Sequence, residues 1–101
     1  MTKAEKELRQ AIIDKCLWMN ASGLNQGTSG NISARFKNQM LITPSGIPYE
    51  KLKPEMIASM PLDGEYGSWV GPLKPSTEWR FHLDIIKSRS QINGVVHTHS
   101  T

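Results

Sequence analysis

Val95-Val96-His97-Thr98-His99-Ser100 is the stretch around which the rest of the chain is read. Two β-branched residues lead into it, so the local expectation is a strand. Side chains on a strand alternate between faces, and residues two apart share one. His97 and His99 therefore project the same way. Two neutral imidazoles on one face of a stiff element make half of a metal site. Imidazole suits zinc, and a catalytic zinc takes three protein ligands and keeps one position open. A His-x-His pair also occurs as two polar residues on a solvated strand face, so the residues upstream have to arbitrate.

The bounds are those of one small domain. The chain has 101 residues, and 38% of them are apolar, below the ~45–50% usual when glycine is counted as well. A thin core, or one completed by other polypeptide, is expected. The net charge is +3 with three histidines counted neutral. The lysines are scattered, which argues against nucleic acid as a partner, while a mild positive field favours a phosphorylated small substrate. Cys16 is the only cysteine, so no disulfide framework exists and the cytoplasm is the expected setting. No apolar run reaches membrane-spanning length. There are no internal repeats.

In chain order, Thr2 to about Ser22 reads as a helix. Thr2 and Glu5 have capping-box spacing. Leu8, Ala11, Ile12, Cys16 and Met19 form one stripe at the 3.6 period, widened by Ile13 and Leu17, and Gly23 is the expected stop. Cys16 on that stripe reads as a small core residue. Asn25 to Asn31 is a polar, glycine-containing loop. Its backbone N–H groups and the side chains of Thr28, Ser29 and Asn31 suit an oxyanion, although composition alone favours an ordinary loop. It is neither the Walker nor the dinucleotide pattern. Strands are expected over Ile32–Phe36 and Met40–Thr43, joined by a turn at Lys37-Asn38-Gln39.

Pro44-Ser45-Gly46 is a second punctuated loop with a small hydroxyl. Pro54 suits the first turn of a short helical segment. A strand is expected over Ile57–Met60, a turn at Asp63-Gly64, and loop over residues 65–75, with Trp69 either exposed or partly buried. A second helix opens at Pro75-Ser76-Thr77-Glu78. Ser76 or Thr77 is its expected N-cap, and Glu78 sits in the first turn, where the dipole favours a carboxylate. Trp79, Leu83 and Ile86 form its stripe. His82 shares a face with Glu78; it reads either as a boundary histidine with satisfied hydrogen bonds or as half of a Glu78/His82 metal pair. Asn93-Gly94 turns the chain into the histidine strand.

Four segments carry a resemblance: Gly23 to Asn31, Leu41 to Leu52, Pro-Ser-Thr-Glu-Trp-Arg-Phe-His from Pro75 to His82, and Val-Val-His-Thr-His from Val95 to His99. In that order they resemble the N-terminal half of the zinc-dependent class II sugar-phosphate aldolases and, within them, those acting on L-fuculose 1-phosphate. The likeness runs from about Ile12 to the last residue. The related ribulose-phosphate 4-epimerases have aspartate where this chain has Glu78, and they lack the Trp-Arg-Phe that follows.

The resemblance implies a three-layer α/β/α fold around a mainly antiparallel sheet, of which residues 1–101 are the N-terminal part. It implies that Thr28, Gly30, Asn31, Ser45, Gly46, Ser76 and Thr77 hold the substrate phosphate. It implies zinc, one per subunit, on His97 and His99, with Glu78 at the metal as catalytic acid/base. The family's third zinc histidine and its catalytic tyrosine fall beyond Thr101, which leads to the expectation of a fragment or truncated product. The implied reaction is cleavage of a ketose 1-phosphate, such as L-fuculose 1-phosphate, to dihydroxyacetone phosphate and L-lactaldehyde, by a homotetramer in the full-length family. A sugar-phosphate epimerase or decarboxylase, and a non-catalytic remnant that binds metal or phosphate, are the alternative expectations.

Overall fold

Val95, Val96 and His97 of the histidine stretch lie on a strand, and it pairs with the strand that follows the first polar loop. The computed structural model describes residues 2–22 and 30–97. Its elements are α1 (Lys3–Ala21), β1 (Asn31–Phe36), β2 (Gln39–Ile42), β3 (Ala58–Pro61), α2 (Trp79–Ser88) and β4 (Gly94–His97), with single 3-10 turns at Tyr49–Lys51 and Pro54–Met56. The four strands form one antiparallel sheet in the order β3-β2-β1-β4. Expected and observed strand limits differ by one residue. The β1–β2 turn is tighter than expected: Phe36 pairs with Gln39, so Lys37 and Asn38 alone reverse the chain, with Lys37 at φ 54°. A positive φ in such a two-residue loop matches the twist of the strands it joins.

The sheet is covered on both faces, as the three-layer expectation requires. Ile32 and Leu41 face α1, where they pack with Ile12, Ile13, Cys16, Met19, Tyr49, Leu52 and Ile57. Met40, Ile42, Ala58 and Met60 face α2 and pack with Leu62, Leu83 and Ile86. Alternation along β2 thus sends Met40 and Ile42 one way and Leu41 the other. The Thr2 hydroxyl accepts from the Glu5 N–H at 3.2 Å and caps α1, as the spacing predicted. The stripe is narrower than predicted. Ala11 and Leu17 face solvent, because α1 meets the sheet along one line only, through Ile12, Ile13, Cys16 and Met19. Arg9 is buried at the end of that line; its guanidinium lies 2.8 Å from Glu5 and donates to the carbonyls of Pro54 and Ile57. Gly23, the expected stop, lies outside the described residues, and Ser22 is the C-cap.

Two further ties set the position of α2. Arg35 on β1 donates to the carbonyls of Ile86, Arg89 and Ile92, placing a cation where α2 leaves carbonyls unpaired. At the other end, residues 62–78 are more ordered than a plain loop. Ser59 and Val70 exchange backbone hydrogen bonds, and Pro44 bridges to Pro75. The Tyr66 ring meets Trp79 at 4.9 Å, and its hydroxyl donates to Asp84 at 2.9 Å. Trp69 is 37% exposed beside these contacts.

Candidate functional site

Strand register brings the site together. Asn31 opens β1 and lies opposite His97 at the end of β4, so both side chains share a face. Thr43 follows β2, and its N–H donates to the Ile32 carbonyl at 3.1 Å, which sets Pro44, Ser45 and Gly46 at the same end of the sheet. The Ser45 N–H donates to Lys74 O at 3.1 Å, and the Ser76 N–H to Thr43 O at 2.8 Å. These two bonds hold the Ser45 loop against the Ser76 loop. Both backbone N–H groups are thereby committed, so the two serines would meet a ligand through their hydroxyls. Gly46 has φ 73°, a left-handed conformation that glycine adopts without strain.

The capping expectation for α2 is corrected here. Helical geometry begins at Trp79, so Glu78 itself occupies the N-cap, and neither Ser76 nor Thr77 does. Ser76 nonetheless makes the bond expected of a cap, its Oγ accepting from the Glu78 N–H two residues on at 3.2 Å. Ser76 is buried, Thr77 exposed, and Glu78 about one-third exposed. From this position the Glu78 carboxylate contacts His97 Nδ1. The Phe81 ring lies 5.7 Å from the His97 ring.

The structure brings together Gly30, Asn31, Ser45, Gly46, Ser76, Thr77, Glu78 and His97 of the predicted site. Thr28 and His99 lie outside the described residues. No group of three or more metal-ligating side chains occurs among the described residues, so the predicted Glu78–His97–His99 set is represented there by its first two members. His82 resolves between its two readings. It is fully buried, with Nδ1 2.7 Å from Ser33 Oγ and Nε2 against Asn31 Oδ1, so both ring nitrogens are occupied and a Glu78/His82 metal pair is excluded. Reasoning from sequence did not connect His82 with Asn31. The polar alternation Asn31-x-Ser33 on a strand was the available signal.

Burial lowers the His82 pKa from 6.5 to about 4, with nearby His97 adding to the fall and Glu78 opposing it. Between these two values the unfolded chain binds a proton that the folded chain does not. Stability is therefore full above about pH 6.5 and falls as the pH drops toward 4, by ~3 kcal/mol in all. Urea unfolding measured from pH 7 to pH 4 checks this; the slope should be much reduced in His82→Gln, and an unchanged slope would assign it to other groups.

A hollow of about 350 Å3 lies elsewhere, against β3, lined in part by Arg9, Gln39, Ser59, Trp69 and Val70. The charge of its one cation is already met by Glu5 and two carbonyls. Cys16 is buried in the α1 core, where desolvation pushes its thiol up to about 12, in line with the core reading. No helix among the described residues is long and apolar enough to cross a membrane.

A covered antiparallel sheet with a carboxylate–imidazole contact beside two joined hydroxyl loops defines the class: an α/β domain with a candidate site at one end of the sheet. Residues 10–101 match the family described as Class II Aldolase and Adducin N-terminal domain, and the chain belongs to that family. It is 51% identical over 94 residues to the 5-methylthioribulose-1-phosphate/5-deoxyribulose-1-phosphate aldolase of Escherichia coli O45:K1, covering 93% of this chain and 43% of that protein. It is also 51% identical over 94 residues to the L-fuculose phosphate aldolase of Escherichia coli K12, covering 93% and 42%. Among solved structures, an L-fuculose 1-phosphate aldolase superposes with a TM-score of 0.86 at 34% identity, over 94% of this chain and 45% of that one. YgbL of Escherichia coli, titled a putative aldolase/epimerase/decarboxylase, superposes with a TM-score of 0.87 at 31% identity, over 98% and 47%. The chain thus spans less than half the length of the curated relatives it matches. Both of these curated relatives are named as sugar-phosphate aldolases.

Proposed function

We propose that the chain is the N-terminal part of a zinc-dependent class II aldolase. Its reaction is cleavage of a ketose 1-phosphate, of the L-fuculose 1-phosphate type, to dihydroxyacetone phosphate and an aldehyde, L-lactaldehyde for that substrate. The observation that carries this reading is the contact of Glu78 with His97 beside the joined Ser45 and Ser76 loops. Glu78 followed by Trp79, Arg80 and Phe81 favours aldolase over the related epimerases. The working protein is a homo-oligomer, a tetramer by resemblance, in the cytoplasm.

The donor set fits zinc: an imidazole nitrogen and a carboxylate oxygen from two different elements meet at one point. Glu78, His97 and, two positions on in the sequence, His99 would hold the ion. When bound, it supplies Lewis acidity toward the substrate's carbonyl and hydroxyl oxygens. The Glu78 carboxylate moves the proton on the carbon next to the carbonyl, as general acid and base. Thr28, Gly30, Asn31, Ser45, Gly46, Ser76 and Thr77 receive the phosphate, with the hydroxyls of Ser45 and Ser76 as donors. Anchoring the phosphate supplies binding energy remote from the bond that breaks and positions it.

Zinc content of the purified chain, measured by elemental mass spectrometry beside a His97→Ala/His99→Ala control, tests the metal part. Near-stoichiometric zinc that is lost in the control is expected. Zinc equal in both sinks the ligand assignment. Release of dihydroxyacetone phosphate from L-fuculose 1-phosphate and from 5-methylthioribulose 1-phosphate, compared at saturating zinc, tests the reaction and its substrate.

A further inference from the structure

His82 contributes no group to the proposed metal or phosphate contacts, yet it lies fully buried beneath them. Its ring spans two residues of β1 that share a face. Nδ1 lies 2.7 Å from Ser33 Oγ, and Nε2 contacts Asn31 Oδ1. These partners assign the ring. An amide oxygen only accepts, so Nε2 carries the proton; in the neutral imidazole Nδ1 then has the lone pair and accepts from the Ser33 hydroxyl. Polarity runs one way through the three groups: Ser33 O–H to Nδ1, then Nε2–H to Oδ1.

The consequence falls on Asn31. Its amide is planar, and fixing Oδ1 on the buried ring aims Nδ2, the end with two N–H donors, away from it. The ionised oxygens of a phosphate group accept and do not donate, so an amide turned the other way would present lone pairs to them. A ring with the proton on Nδ1 would permit that reversed amide, with Asn31 donating inward and Ser33 accepting. The orientation of the Asn31 amide is thus coupled to the tautomer of a fully buried ring.

We propose that His82, oriented by Ser33, is a positioning residue that holds the donor end of the Asn31 amide toward the oxyanion of a phosphorylated ligand. The proposal rests on the reading of Asn31 as a phosphate contact. It differs from a packing role, for which any residue of similar volume would serve. Losing one hydrogen bond to a charged oxygen lowers affinity roughly tenfold to a hundredfold.

The test uses the 15N-labelled full chain with inorganic phosphate as the probe. Long-range 1H–15N correlation reads the His82 tautomer, and titration reads the phosphate dissociation constant. The proton is expected on Nε2. Asn31→Ala, Ser33→Ala and His82→Phe are each expected to weaken phosphate roughly tenfold or more, while His82→Gln, which can still donate to Oδ1, recovers part of the loss. Amide dispersion of each variant reports its fold, and Ser33→Ala carries the test if His82→Phe does not fold. A proton on Nδ1 overturns the proposal. So does wild-type affinity in folded Ser33→Ala and His82→Phe while Asn31→Ala is weakened, and in that case the phosphate reading of Asn31 stands. Unchanged affinity in Asn31→Ala overturns that reading and, with it, the proposal.

Discussion

Glu78→Gln is expected to lower the rate of aldol cleavage about 10²–10⁴-fold, the range that a positioned general acid–base contributes. The substitution keeps the shape of the side chain and removes its ability to take up a proton. The backbone at residue 78 is held independently of the carboxylate, by the Glu78 N–H to Ser76 Oγ at 3.2 Å and by the Trp79 N–H to Ser76 O at 3.0 Å. The hydroxyl loops are tied to each other through Ser45, Lys74, Ser76 and Thr43, not through Glu78. Affinity for a phosphate-bearing ligand should therefore stay within about threefold of the parent, well under the tenfold that 1.4 kcal/mol represents. Steady-state release of dihydroxyacetone phosphate and ligand titration separate the two effects. Zinc content measured on the same samples distinguishes loss of the acid–base group from loss of a metal ligand. Equal turnover in Glu78→Gln would remove Glu78 from the mechanism.

Leu41→Ala is expected to cost about 2–5 kcal/mol of folding stability, the range for emptying a leucine site in a core. Leu41 is fully buried on β2, an interior strand, and faces α1. Little can collapse into the space, because β1 and β3 flank it and hold their positions through backbone pairing. Domains of this kind have only about 5–15 kcal/mol in total, so the variant should lose a large share of its stability. Urea unfolding at fixed pH is the measurement, with an unchanged m-value as evidence that stability alone has moved. Val96→Ala, at a side chain 53% exposed on β4, should change stability by less than about 0.5 kcal/mol. A loss below 1 kcal/mol in Leu41→Ala would mean that α1 does not close this face.

Parts of the fold were legible because their signals are local. The β-branched pair Val95 and Val96 marked a strand, and β4 runs through them to His97. Helical period likewise identified Ile12, Cys16 and Met19 as the packing line of α1 and Leu83 and Ile86 as that of α2. The Ser45 and Ser76 segments were legible as loops carrying hydroxyls. Period could not say how wide a helix face the partner covers, which is why Ala11 and Leu17 were placed inside and are outside. Composition named Ser76 and Thr77 as caps; Ser76 does take an N–H at the head of α2, that of Glu78, while regular helix begins only at Trp79.

By itself the sequence determined the element types, the alternation that gives β2 two buried faces, and the residue types able to hold a cation or an oxyanion. These depend on backbone period and side-chain chemistry, which act over a few residues. Only the tertiary structure decided that Asn31 faces His97, that Glu78 reaches His97, that the Ser45 and Ser76 loops are joined, and that His82 spends both ring nitrogens on β1. Those contacts join residues 19 to 66 positions apart in the chain. They arise from strand register and helix packing, which the burial of two separate apolar faces selects and which no local spacing encodes.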